Sequence, residues 1–229
     1  MRYIKTSIKI PYIAIDVVLL LPKDVMNKAI KINGSILKHN GKNKRKIMLN
    51  RRNCLPHISL AMGRIKVNDI PAVIGTLKDI IRHFRKIELE ITNIDRWVIP
   101  DGNSVSGFKI GKNNNLQKLH ETIMKRLLPY LSYNIKLDML YQKPLPERIT
   151  LHWIKNYLKR SSFGNFSPHI TLGIGRDDRL ESYNIKDSQI QDNLKLPIKF
   201  TPAKIAVCHL GNYCTCRKVL GMVKLSKNI

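Results

Sequence analysis

Two short stretches of the sequence combine the residue types of acid–base chemistry in nearly the same order. They are PHISLAMGR, which contains His57 and Ser59, and PHITLGIGR, which contains His169 and Thr171. Because the pKa of an unperturbed histidine is about 6.5, one imidazole can accept a proton while another donates one at neutral pH. The hydroxyls can donate hydrogen bonds to the oxygens of a phosphate group. The repeat therefore predicts one site with two imidazoles and two hydroxyls, which can act on a phosphodiester without a metal ion.

Each histidine and its hydroxyl can face one substrate only if a strand carries them. Side chains two residues apart lie on the same face of a strand, whereas on a helix they point in different directions. The apolar residues between them, Ile58 and Ile170, would then point into a core. A proline precedes each histidine, which fits the first residue of a strand or an edge strand. We expect Gly63 and Gly175 to end the two strands.

A purely structural role for these histidines is the alternative interpretation. A histidine followed two residues later by Ser or Thr arises by chance in a chain with seven histidines. A third copy, His120 and Thr122, falls within a predicted helix, where the two side chains cannot face one substrate. Packing alone gives no reason to repeat a histidine together with the apolar pattern around it. The duplication therefore favours a catalytic pair made of the first two copies.

The elements that must position the motifs alternate between strand and helix. The apolar periodicity predicts a strand over 12–21, a helix opening at Pro22, and a helix capped near Asn68 that runs to Phe84. Further strands are expected at 87–91 and 105–110, further helices at 116–127 and 147–158, and a closing hairpin at 204–210 and 214–223. We therefore expect one α+β domain over residues 1–229, with pseudo-symmetric lobes at 1–100 and 101–229 that carry one motif each.

The amino-acid composition indicates which kinds of molecule the protein can bind. With 229 residues, of which 43% are hydrophobic, the chain can bury a substantial core. The formal net charge of +25 favours a polyanionic partner such as nucleic acid, although solvated surface lysines would give the same balance. Asp16 interrupts the apolar start and the run from Val17 to Leu21 is too short to cross a bilayer. We expect a cytoplasmic protein with no membrane partner.

Four cysteines are too few to indicate a disulfide scaffold, so reduced thiols are expected. The stretch CHLGNYCTC from Cys208 to Cys216 invites a zinc interpretation. However, it lacks paired C-x2-C spacing, and strand alternation would send Cys208 and His209 to opposite faces. We therefore predict an ordinary hairpin here, with no metal and no cofactor.

The two motifs resemble the paired signatures of the two-histidine (2H) phosphoesterase superfamily, which includes bacterial 2′-5′ RNA ligases and cyclic phosphodiesterases. The resemblance implies a bilobal α+β fold of two antiparallel sheets with helices outside and a central groove. It also implies that His57 and His169 are catalytic and that Ser59 and Thr171 hold the phosphate. Some bacterial members place an arginine three residues after the second hydroxyl, where this chain has Ile174 instead. Arg64 and Arg176, one after each motif copy, are the remaining candidates for substrate binding.

The expected function is a metal-independent phosphoesterase for 2′,3′-cyclic phosphates or 2′,5′ bonds of RNA or oligonucleotides, which can also run in reverse as a 2′-5′ RNA ligase. We expect it to be a monomer. The pseudo-symmetry leaves open which histidine is the base and which is the acid. One alternative is a hydrolase of a small cyclic or linear oligonucleotide signal. Another is a non-catalytic RNA-binding module, which the aromatic content of 7% does little to support.

Overall fold

The described residues form two four-stranded antiparallel sheets and four α-helices. The α+β class and the two antiparallel sheets were predicted. The computed structural model describes residues 11–39, 47–84, 87–99, 103–176 and 194–225, without the side chains of His39 and Arg176. The strands are β1 Tyr12–Leu20, β2 His57–Lys66, β3 Leu89–Val98, β4 Asn103–Ile110, β5 His169–Arg176, β6 Ile198–Phe200, β7 Lys204–Leu210 and β8 Cys216–Lys224. The helices are α1 Lys23–His39, α2 Ile70–Ile81, α3 Asn114–Leu127 and α4 Arg148–Arg160.

The two sheets are built on the same plan. The strand order is β2-β1-β7-β8 in the first sheet and β5-β4-β3-β6 in the second, so each motif strand lies at an edge. An edge strand tolerates the proline before each histidine, because its missing N–H is not needed in a ladder. The sheets do not follow the predicted division at residue 100. Strand β7 pairs with β1, and β8 pairs with β7, so both C-terminal strands lie in the first sheet. Strand β3, which belongs to the predicted first lobe, lies in the second sheet.

Both motif strands carry an irregularity at the same position. In β2 the register against β1 shifts so that Leu60 is the extra residue, and in β5 the register against β4 shifts so that Leu172 is the extra residue. Each leucine directly follows the motif hydroxyl and is fully buried. Such bulges bend a strand locally and redirect its side chains. The repeat therefore reproduces the backbone shape of the motif as well as its residue types.

Helix α1 packs against the second motif strand and is hydrogen-bonded to it. The amide of Asn33 donates to the backbone oxygens of Leu172 and Ile47, at 2.8 and 2.7 Å, and its oxygen accepts from the N–H of Leu49. Ile36 lies only 3.0 Å from where a side chain on Gly173 would begin. A side chain at this position of the second copy would have to displace Ile36, whereas the first copy carries Ala61 here.

Some predicted boundaries move. Both motif strands continue past the glycines that were expected to end them, to Lys66 and Arg176. Residues 67–69 form a 3-10 turn, so α2 begins at Ile70 and not directly after a cap at Asn68. The short strand β6 was not predicted. Within the described ranges, no helix is long and apolar enough to cross a bilayer.

The closing hairpin has the predicted position, but its cysteines differ from expectation. Cys208 and Cys216 form a disulfide across β7 and β8, with their Cα atoms 5.4 Å apart. The expectation of reduced thiols is therefore wrong for this pair, because strand pairing brings the two Cα atoms within disulfide range. Cys54 and Cys214 are free.

Candidate active site

Both motif histidines are held in the same way. The Nδ1 of His57 lies 2.7 Å from the carbonyl oxygen of Leu55, and the Nδ1 of His169 lies 2.9 Å from that of Ser167. Because a carbonyl oxygen can only accept, each Nδ1 carries the hydrogen and donates it. The reactive nitrogen of both imidazoles is therefore Nε2, whether the ring is neutral or protonated.

A buried carboxylate distinguishes the surroundings of the first histidine. Asp16 lies in the middle of β1, is fully buried, and places its Oδ2 3.6 Å from the Nε2 of His57. The hydroxyl of Ser59 donates to the same oxygen at 2.6 Å. The sequence interpretation used Asp16 only to argue against a signal peptide. The signal that could have identified it is a lone acid inside an otherwise apolar strand, since a buried charge requires a partner.

The carboxylate and the imidazole change each other's protonation. Burial raises the pKa of Asp16, and this outweighs the lowering by the hydrogen bond and charge of His57 and by the bond from Ser59. Burial by itself would lower the pKa of His57, but its polar contact with Asp16 and the negative charge there dominate and raise it. His57 is therefore the histidine that retains its proton to higher pH.

His169 shifts in the opposite direction. Burial lowers its pKa, the positive charge of His57 lowers it further, and the bond to Ser167 and the charge of Asp16 only partly compensate. This interaction means that the two imidazoles are close enough to sense each other's charge, and β2 and β5 are in contact. Two titratable groups with pKa values pushed apart in one site form a natural acid and base pair.

The two motif hydroxyls also differ. Ser59 is engaged with Asp16. Thr171 is half-buried and makes no hydrogen bond through its hydroxyl to another described residue. Its O–H is therefore available to a ligand, whereas that of Ser59 must first leave Asp16.

The arginine candidates lie at the far ends of the motif strands. The Arg64 guanidinium lies 4.3 Å from the ring centre of Tyr12, and its Nε lies 3.3 Å from the hydroxyl of Ser132. These contacts are seven residues along β2 from His57. The side chain of Arg176 lies outside the described residues. A substrate contact by either arginine stays a prediction.

Two other histidines make structural contacts. His120 lies in α3, as expected, where its Nδ1 donates to the carbonyl of Leu60 at 2.7 Å and its Nε2 accepts from the N–H of Phe163 at 2.8 Å. Burial lowers its pKa. His209 bonds to the carbonyl of Met139 at 3.0 Å. Both rings connect parts of the fold through backbone groups.

One aromatic residue beside the second histidine was also missed. Trp97 on β3 places its ring centre 5.0 Å from that of His169, with the ring planes tilted by 52°. The sequence interpretation found no aromatic motif. Only the pairing of β3 with β4 brings Trp97 to this position.

A comparison with models of known protein families shows to which family the chain belongs. The family model of the 2′-5′ RNA ligase superfamily matches residues 42–212, which is more than half of the chain and includes both histidine motifs. The chain belongs to the 2′-5′ RNA ligase superfamily. This confirms the resemblance to the two-histidine phosphoesterases on which the fold prediction depended. A search of curated proteins finds no match.

Solved structures of similar fold match almost the whole length of this superfamily member. TT0787 of Thermus thermophilus has a TM-score of 0.54 and 11% identity, and the match covers 95% of this chain and 100% of that chain. E. coli LigT complexed with NADP+ has a TM-score of 0.50 and 13% identity, with coverage of 93% and 97%. E. coli LigT complexed with 3′-AMP has a TM-score of 0.50 and 12% identity, with coverage of 95% and 100%. At these identities the likeness establishes the fold.

Proposed function

We propose that this protein is a metal-independent phosphoesterase that acts on the 2′,3′-cyclic phosphate or 2′,5′-phosphodiester bonds of RNA or oligonucleotides. The observation that carries the proposal is the geometry of the two motif strands: β2 and β5 are in contact, the Nδ1 of each motif histidine donates to a carbonyl two residues earlier, and Asp16 lies 3.6 Å from the Nε2 of His57. The opposite pKa shifts of His57, raised by Asp16, and His169, lowered by burial, agree with it. Membership of the 2′-5′ RNA ligase superfamily supports the phosphoester chemistry.

In the proposed hydrolysis, His169 is the general base and His57 the general acid. The Nε2 of His169 removes a proton from a water molecule, and the oxygen of that water forms the new bond to phosphorus. The bond from phosphorus to the leaving sugar oxygen breaks on the opposite side, and that oxygen takes the proton from the Nε2 of His57. The hydroxyl of Thr171 donates to a non-bridging oxygen, where negative charge develops. The product is a phosphomonoester or a cleaved strand.

The direction of the pKa shifts favours this assignment over the reverse one. A base must be deprotonated and an acid protonated at the same pH. The lowered pKa of His169 and the raised pKa of His57 make this the dominant state of the free enzyme between the two pKa values. Because both proton transfers are provided by side chains, the reaction requires no metal-bound water.

Ligation is the same reaction run in reverse. The leaving oxygen of hydrolysis then becomes the nucleophile, so the two histidines exchange roles. His57 must lose its proton to act as the base, and its raised pKa makes that state less populated at neutral pH. A catalyst accelerates both directions equally, so the excess of water over the alcohol in dilute solution is the reason why we propose hydrolysis as the favoured direction and ligation as the secondary one.

A basic patch that includes the segment just before the first motif in sequence favours an RNA substrate longer than a dinucleotide. Lys31 on α1 and the exposed Arg51 and Arg52 line a cavity of about 580 Å³. This segment leads directly into His57. Contacts of this kind with phosphates make binding steeply dependent on salt, whereas a small oligonucleotide signal would be affected much less. Measuring KM at low and moderate salt for a long and a short substrate tests this choice.

The decisive experiment is an assay of the purified protein in EDTA with nucleoside 2′,3′-cyclic phosphates and 2′,5′-linked dinucleotides. We expect turnover of at least one class, a bell-shaped pH profile of kcat/KM, and loss of turnover in the double variant His57→Ala/His169→Ala. Turnover that survives in the double variant, or that requires an added metal ion, would refute the proposed mechanism. Binding of RNA without any turnover would indicate the non-catalytic module instead.

A further inference from the structure

A row of polar and aromatic side chains lies beside His169 on the second sheet. In the strand register, Trp97 pairs with Val105, Asp95 pairs with Gly107, and Lys109 pairs directly with His169. Paired and alternate residues share a face of a sheet, so these side chains lie on the face of His169 and Thr171. Asp95 and Trp97 are half-buried, and Lys109 is 58% exposed. This face is therefore accessible to a ligand.

The ring of Trp97 lies against Gly107 on this face. A side chain on Gly107 would begin only 2.8 Å from the Cζ3 atom of Trp97, so the absence of a side chain there is what lets the ring lie over the strand. Gly107 in turn pairs with Thr171. Two atoms of the six-membered indole ring, Cζ3 and Cη2, thus lie over β4 at Gly107, and the ring centre is 5.0 Å from that of His169. Because the ring is only half-buried, it offers a planar group a surface on which to stack.

A polar pair borders the ring. The Nζ of Lys109 lies 3.2 Å from a carboxylate oxygen of Asp95, and the amide of Asn93 donates to the other oxygen at 3.1 Å. An exposed ion pair of this kind contributes little to stability. The pair places the ammonium group of Lys109 and the carboxylate of Asp95 next to the ring of Trp97. Hydrogen-bonding groups of this kind recognise the edge of a base, and an aromatic ring stacks on its plane.

The equivalent face of the first sheet is closed. The residues that correspond to Gly107, Asp95 and Trp97 are Val18, Ala206 and Cys208, and all three are fully buried. They pack with Leu55 and Cys216 in an apolar cluster. Of the two corresponding sheet faces, the one in the second sheet is therefore the more open among the described residues, and it can accept a group attached to a phosphate between the histidines.

We propose that Trp97 is the stacking surface for the nucleobase of the nucleotide that carries the reacting phosphate, with Asp95 and Lys109 contacting its polar edge. This inference rests on the proposed function, since it takes the phosphate to lie between His57 and His169. Stacking of this type discriminates little between bases, because every base has an aromatic face. Trp97 is thus a binding residue for nucleosides in general.

The kinetic test compares a nucleoside 2′,3′-cyclic phosphate with ribose 2′,3′-cyclic phosphate, which has no base. We expect Trp97→Ala to raise KM for the nucleotide about 10- to 100-fold more than KM for the base-free substrate, because only the nucleotide loses a stacking partner. Trp97→Phe should recover most of the loss. Trp153→Phe is the matched control, because Trp153 lies on α4 beside Tyr213. An equal loss on both substrates, or no loss on either, would overturn the proposal.

A binding measurement separates this inference from the proposed catalysis. The chain has two tryptophans, so Trp97 is the sole indole emitter in Trp153→Phe. We expect a nucleoside 2′-monophosphate to quench this emission with saturation, and inorganic phosphate and ribose 2-phosphate to leave it unchanged. If the wild-type protein hydrolyses neither substrate, the proposed function fails, and the quenching still decides whether Trp97 stacks on a base. Equal quenching by all three ligands, or none, would overturn the stacking role.

Discussion

The first and second motif strands present the same residues in contrasting surroundings. His57 and His169 begin edge strands, each donates from Nδ1 to the carbonyl two residues earlier, and each is followed by a bulge after its hydroxyl. Their neighbours differ at every corresponding position. Where β1 has the buried Asp16, β4 has Val105. The repeat therefore fixes the position of each imidazole, whereas the neighbouring strand decides what that imidazole does.

The same contrast holds further from the two histidines. The first sheet covers its face beside the motif with a buried apolar cluster and a disulfide. The second sheet leaves Trp97 and its polar neighbours accessible. A symmetric pair of histidines thus lies beside two unequal sheet faces. The proposed substrate, with a base on one side of its phosphate, is asymmetric in the same sense.

Removing either imidazole gives the largest expected effect. We expect His57→Ala and His169→Ala each to lower kcat by about 10²- to 10⁴-fold, because each removes one of the two proton transfers. Steady-state kinetics on a 2′,3′-cyclic phosphate measures the loss. His152→Ala, on the exposed face of α4, is the control and should retain wild-type activity. A variant at only one of the two motif positions that kept full activity would show that the two strands are not a catalytic pair.

The hydroxyls test whether the motifs are equivalent in binding phosphate. Thr171→Ala removes a hydroxyl that no described residue engages, and we expect kcat to fall about 10²-fold. Ser59→Ala removes one that already donates to Asp16, so its effect on kcat should be several-fold smaller. Thr171→Ser and Ser59→Thr keep the hydroxyl and serve as controls. Equal losses in the two alanine variants would contradict the asymmetry.

The carboxylate gives an effect that depends on pH. In Asp16→Asn the negative charge is lost but burial remains, so the pKa of His57 should fall. The alkaline limb of the kcat/KM profile then moves to lower pH. At pH values above this limb, kcat/KM of the variant should be roughly tenfold lower than that of the wild type for each unit by which the pKa of His57 falls. The acidic limb, which belongs to His169, should move little. Asp79→Asn, on the exposed surface of α2, is the control.

The reciprocal change introduces an acid beside the second histidine. Val105→Asp puts a carboxylate at the position that corresponds to Asp16, and we expect it to raise the pKa of His169. The acidic limb of the profile should then move to higher pH, while the alkaline limb stays in place. Val105→Asn is the uncharged control. An unchanged acidic limb, with the variant folded as judged by circular dichroism, would show that His169 is not the base.

The smallest effect concerns the closed face of the first sheet. Reducing the Cys208–Cys216 disulfide should lower the free energy of unfolding by about 2 kcal/mol, because it releases only a short loop in the unfolded chain. Urea unfolding with and without dithiothreitol measures the difference. Cys208→Ala/Cys216→Ala should show no dependence on the reductant. A reductant effect of the same size in that double variant would assign it to Cys54 or Cys214 instead.

Local patterns predicted most elements, and the misses have a common origin. The helices α3 and α4 and the hairpin strands followed from apolar periodicity, because a buried stripe or alternating face is written into neighbouring residues. The three-residue strand β6 offers too few residues for such a pattern. The division at residue 100 did not coincide with the sheets, because β7 returns to pair with β1 across most of the chain. Pairing between strands so far apart in the sequence leaves no pattern among neighbouring residues from which it could be predicted.

By itself the sequence predicted that the two histidine–hydroxyl pairs lie on strands, because only a strand puts side chains two residues apart on one face, and the structure confirms this. That the two pairs form one catalytic site stays a prediction from the duplicated nine-residue pattern. The sequence left the two histidines equivalent. Only the tertiary structure placed Asp16 beside His57 and Trp97 beside His169, and so made the pair unequal. The physical reason is that a pKa and a binding surface depend on charges, burial and ring contacts from strands that are distant in sequence, which only folding brings within a few ångströms.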